Sequence, residues 1–128
     1  PWDRMVSYYH WLRDQGFDHP AVGLAKSLEF GAFVQSATVQ GSLAASPYGS
    51  YLRDGAGVDQ SNLFIRIEHF SRDAQPLFDH LGFDLTLPRE NASDRAAGYQ
   101  GYYTAKTRDL IAAACAEDIT RFGYRFDG

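Results

Sequence analysis

Arg4 and Ser7 stand three residues apart near the start of a segment whose apolar residues recur at threes and fours. On a helix that spacing puts them on nearly the same face. A hydroxyl early in a helix can donate to a phosphate, helped by the unpaired amides and the dipole of the first turn. An arginine adds a two-pronged cation to such a group. The chemistry is anion binding. Plainer readings stay open: Ser7 as a solvated helix residue, and Arg4 as the partner of Asp3 or Glu68.

Other chemistry-bearing residues are more dispersed. His10 lies one turn beyond Ser7, placed either as a general base or as an ordinary surface histidine. Glu68 closes an alternating run and reads as a structural acid more readily than a catalytic one. Asn91, Ser93 and Arg95 share an irregular polar stretch that suits an anion or a solvated loop. Asn91-Ala92-Ser93 also spells a glycosylation sequon, discounted for want of a secretory leader. His19, His69 and His80 show no metal-ligand spacing, so no metal is expected. Cys115 is the only cysteine and sits among alanines, a small buried helix residue rather than a nucleophile. With one cysteine, intramolecular disulfides and multi-cysteine zinc sites are excluded.

The elements that must hold these groups follow from periodicity. Trp2, Met5, Val6, Tyr9 and Leu12 predict a first helix that stops at Gly16. Ser27 is expected to cap a second helix that carries Leu28, Phe30, Phe33, Val34 and Ala37 and fades by Gly41. Residues 42–60 are rich in Gly, Ser, Pro and Asp and read as a long loop. Leu63, Ile65 and Ile67 alternate and predict a strand over 62–68. Ser71 and Gly82 bracket a further helix, and Thr104 and Gly123 bracket the clearest one.

The chain has 128 residues, 45% hydrophobic and 22% charged, which fits one globular domain spanning 1–128. Its net charge of -4 argues against a nonspecific nucleic-acid or anionic-membrane binder but leaves room for a local basic pocket. Ten of its twelve cationic residues are arginine, the better fork for phosphate and sulfate, although a GC-rich genome produces the same bias. No apolar run approaches the roughly 18 residues of a membrane span. The lack of a disulfide framework points to a cytoplasmic protein. The chain opens directly into a helix at Pro1-Trp2, without an initiator methionine or leader, and is expected to be part of something longer.

Pro1-Trp2-Asp3-Arg4-Met5-Val6-Ser7-Tyr8-Tyr9 resembles the segment of nucleotide-dependent sulfotransferases that binds the 3′-phosphate of the donor, 3′-phosphoadenosine 5′-phosphosulfate (PAPS). Pro1, Arg4, Ser7 and Tyr9 keep step with that family's pattern, whose first arginine would fall before Pro1. Phe64-Ile65-Arg66-Ile67-Glu68 looks like the family's late core strand. Asn91-Ala92-Ser93-Asp94-Arg95, Tyr99, Tyr102-Tyr103-Thr104, Asp118-Ile119 and Phe122-Gly123-Tyr124 look like the closing stretch of a bacterial or carbohydrate-type member. The match is weakest between Phe17 and Ser61. The family's phosphosulfate loop has no counterpart here, because the Gly55-Ala56-Gly57 cluster lacks a lysine and a following helix.

The resemblance implies the C-terminal half of an α/β, P-loop-like sulfotransferase that moves a sulfuryl group from PAPS to a hydroxyl acceptor, a carbohydrate or other small molecule. It implies that Ser7 grips the 3′-phosphate with help from Arg4, and that the loop of Asn91, Ser93 and Arg95 closes near the nucleotide. With the phosphosulfate loop absent, the 128-residue piece alone is expected to be inactive, and the family's base commonly lies in the missing half. Tyr99, Tyr102 and Tyr103 would line an acceptor groove or simply pack in a core. The rival reading is a non-catalytic helical interaction or scaffold domain that keeps the pattern and binds no nucleotide.

Overall fold

The computed structural model describes residues 1–88 and 98–128. The expected α/β architecture is overturned: the described residues form eight α-helices and three short 3-10 turns, and no strand. The helices are α1 (Trp2–Asp14), α2 (Pro20–Ser27), α3 (Phe30–Gln35), α4 (Ala37–Ala45), α5 (Phe70–Asp73), α6 (Gln75–Leu81), α7 (Ala105–Ala114) and α8 (Ala116–Phe122). None of them is long and apolar enough to cross a membrane. The chain divides into two compact units, Pro1–Tyr51 with Ser93–Gly128, and Leu52–Ala92.

In the first unit α1 buries Trp2, Met5, Val6, Tyr9 and Leu12, the five positions that its periodicity predicts. The second expected helix gives way to two, α3 and α4, preceded by an unexpected α2. His19 opens α2 instead of Ser27, accepting the Ala21 amide on Nδ1 (3.1 Å) while Pro20 takes the first helical position. Ser27 ends that helix, its hydroxyl donating back to the Gly23 carbonyl (2.8 Å). The chain turns again at Ser36, whose extended backbone closes α3 and caps α4. Two breaks in fifteen residues let α2, α3 and α4 each turn an apolar side inward, which one straight helix could not do.

These helices and α7 share one core, in which Leu12, Phe33 and Ile111 are fully buried. Polar ends of aromatic residues stitch its rim. Trp2 Nε1 donates to the Arg108 carbonyl (3.1 Å), Tyr103 Oη to the Trp2 carbonyl (2.9 Å) and Tyr9 Oη to the Leu28 carbonyl (2.8 Å). Phe126 meets the rings of Trp2, Tyr99 and Tyr103 edge to face at 5.5–5.6 Å. Of the two readings of Tyr99, Tyr102 and Tyr103, packing is the one observed. The single helix expected between Thr104 and Gly123 is broken at Cys115 into α7 and α8: Thr104 caps α7 in a reciprocal box with Thr107, and left-handed Gly123 (φ 68°) ends α8.

In the unit Leu52–Ala92 the predicted strand is missing. Residues 62–66 join no ladder, and Ile67–His69 is a 3-10 turn with Ile67 80% exposed. The physical reason is that alternation marks a strand only where a second backbone supplies its hydrogen bonds. What orders this unit is local. Asp54 Oδ1 accepts the Ala56 and Val58 amides (2.9 and 3.0 Å), closing a tight turn. Arg66 forks onto Asp73 at 2.6 and 3.1 Å, and Phe70 meets Phe78 at 5.8 Å. Helix α6 carries Pro76 in its first turn and ends at left-handed Gly82 (φ 77°), as expected, but it opens at Ala74, and Ser71, the expected cap, lies inside α5.

Candidate functional site

Within the first unit α1, α2, α4 and α8 surround a cavity of about 280 Å³. That is close to the lower end of small-molecule sites, roughly 300–1,000 Å³. Its walls follow from helical spacing. Arg4 and Tyr8 come from successive turns of α1, and Thr38 and Ser42 from successive turns of α4. His19, at the start of α2, is already an acceptor on Nδ1, which leaves Nε2 as the donor of its neutral ring.

Residues 46–51 form a strap that completes the wall with Ser46, Tyr48 and Tyr51. The strap is fastened to α8 through its backbone, where the Tyr48 amide donates to Asp118 Oδ1 (2.9 Å). Gly49 lies so close to α8 that a Cβ there would collide with the Glu117 carboxylate and come within 3.0 Å of Arg121. The Tyr48 ring packs on Phe122 (6.1 Å) and carries the Arg4 guanidinium 4.6 Å above its centre. Cys115, at the break between α7 and α8, is buried in the wall. Burial above all pushes its thiol pKa up, which keeps it protonated and a poor nucleophile.

This arrangement can do one kind of chemistry with its own groups. It offers an exposed arginine, a histidine N–H and three hydroxyls to an anion, tyrosine rings to a flat body, and a buried carboxyl to a donor.

The structure separates the residues that the sequence had paired. Arg4 lines the cavity, whereas Ser7, half-buried on the same helix, does not. Tyr9, the aromatic position of the motif, is a core residue tied to Leu28 and Arg13. Asn91, Ser93 and Arg95 lie outside the described residues. His10 is committed to the Tyr102 hydroxyl (3.2 Å), with the two rings edge to face. Glu68 is exposed in a 3-10 turn, neither at a strand end nor buried as a structural acid. Among the described residues no group of three or more His, Cys, Asp or Glu side chains could hold a metal ion.

As site residues, sequence reasoning missed His19, Thr38, Ser42 and Tyr48, and it named Asp118 only within the closing stretch of the resemblance. Only Asp118 left a signal, as an acid between Cys115 and Ile119 in the apolar stripe of the last helix. Compared with known proteins, the chain matches no family model, no curated protein and no solved structure.

Proposed function

We propose that this chain binds the 3′-phosphate end of PAPS, as part of a sulfotransferase that delivers a sulfuryl group to a hydroxyl acceptor. The observation that carries the reading is the place of Arg4. This motif arginine stands on the wall of a nucleoside-sized cavity, beside the hydroxyls of α4 and the N–H of His19. Sulfuryl transfer, like phosphoryl transfer, asks little covalent work of the protein and much positioning. A grip on a phosphate remote from the sulfur fixes the donor's register. Ser7 enters on the sequence resemblance alone; Thr38 and Ser42 are the hydroxyls nearer to hand.

The test is equilibrium binding of 3′,5′-adenosine bisphosphate against 5′-AMP, which lacks the 3′-phosphate. The bisphosphate binds more tightly, and Arg4→Ala removes roughly 10- to 100-fold of its affinity, as expected for a charge-assisted contact. Equal affinity for the two nucleotides, or no effect of Arg4→Ala, overturns the reading. The chain by itself turns over no PAPS, because it has no phosphosulfate loop.

One observation favours the non-catalytic alternative. Tyr8, Trp11 and Phe17 form an exposed row of touching rings (6.2 and 6.0 Å) on α1 and the turn after it, the kind of patch that docks partners. Under that reading Trp11→Ala weakens association and Arg4→Ala leaves nucleotides unaffected.

A further inference from the structure

Asp118 is the buried acid that the phosphate grip does not use. It is 5% exposed on α8 and lines the cavity. Its Oδ1 accepts the Tyr48 amide, and among the described residues no hydrogen bond is made to Oδ2. Oδ2 is not shut off from solvent, so a ligand donor can reach it and replace a water contact with a direct hydrogen bond to the carboxyl. A ligand that meets both residues carries an N–H for Asp118 and an anion for Arg4, with a flat body against the tyrosine rings of the wall.

Building on the nucleotide reading, we infer that Asp118 Oδ2 accepts the exocyclic amine of the adenine ring, and so sets the base specificity of the cavity. Adenine fits the hydrogen-bond arithmetic. It presents a single amine at that edge, and one oxygen of Asp118 is open to it. Guanine would present two adjacent donors to a carboxyl whose other oxygen is already engaged by the strap.

The experiment compares 3′,5′-adenosine bisphosphate with its analogue bearing hydrogen in place of the 6-amino group, on the wild-type chain. The amine-bearing nucleotide binds roughly 10-fold more tightly, the net worth of one direct hydrogen bond to a carboxylate that water otherwise fills. Asp118→Asn sharpens the result. Its amide oxygen keeps the Tyr48 contact and its NH2 group faces the ligand, so the preference collapses while the thermal midpoint stays near that of the wild type. Equal binding of both nucleotides by the wild type overturns this inference and leaves the phosphate grip standing. A preference unchanged in Asp118→Asn overturns it too. If neither nucleotide binds, both readings fall together.

Discussion

The two units of this chain both carry periodic apolar residues and differ in what those residues meet. In the unit of Pro1–Tyr51 and Ser93–Gly128, aromatic and aliphatic side chains from α1, α2, α3, α4 and α7 close on one another, and Phe33, Val6 and Ile111 are fully buried. Among the described residues of Leu52–Ala92 only Ala74 and Phe78 are buried, whereas Leu63, Ile67, Phe83, Leu85 and Leu87 stay exposed. The difference teaches that a periodic apolar pattern is an offer rather than a structure. Helical faces find each other within the first unit. A strand pattern in the second finds no ladder, so its order falls to a carboxylate turn, one ion pair and a short helix.

The largest effect expected is on the dense side. Phe33→Ala removes a ring that α1 and α3 share and costs about 3–5 kcal/mol, read as a lowered denaturant midpoint. A loss below about 1 kcal/mol would mean that the two units are not as unlike as described. An intermediate effect belongs to Asp73 in the sparse unit. The Arg66 guanidinium beside it holds its carboxyl well below the usual carboxylate range, with Arg72 and the Arg66 amide contributing. A depressed acid stabilises the fold above its unfolded value of about 3.9, and that contribution disappears as pH falls toward the native value. Acid titration from pH 5 downward therefore loosens amides 66–73, and Asp73→Asn flattens that profile at the outset. The smallest effect is at Ile67, where Ile67→Ser shifts stability by less than about 0.5 kcal/mol because the side chain is already in water. A penalty above about 1 kcal/mol would show that Ile67 is covered in solution.

The same contrast explains what was legible beforehand. Helix α1 and the pair α7–α8 were readable because their stripes run long enough to define a face and their ends carry Thr104 and Gly123. Gly82 marked the end of α6 for the same local reason. The strand over 62–68 misled because its evidence is half of a pair, and the other half is a matter of tertiary context. The helix drawn from Ser27 to Gly41 misled because Ser27 ends α2 rather than opening a helix, and Ser36 is a capping signal inside an otherwise continuous apolar run. At the cavity, Arg4 could be singled out by motif, but its partners come from four segments of chain with no common spacing. Arg4 and Ser7 parted company because three helical residues differ by about 60° in direction, enough to put one on the wall and the other off it. Asp118 was legible only as an acid out of place.

The central claim is that an adenosine 3′-phosphate is held in the cavity walled by α1, α4, α8 and the strap 46–51. Amide hydrogen exchange with and without 3′,5′-adenosine bisphosphate tests it directly, because bound ligand slows exchange where it stabilises structure. The account predicts added protection at the start of α1, the last turns of α4 and amides 46–51, including the Tyr48 amide on Asp118, with the interior of Leu52–Ala92 unchanged. Protection confined to Leu52–Ala92, or none at saturating nucleotide, would contradict it.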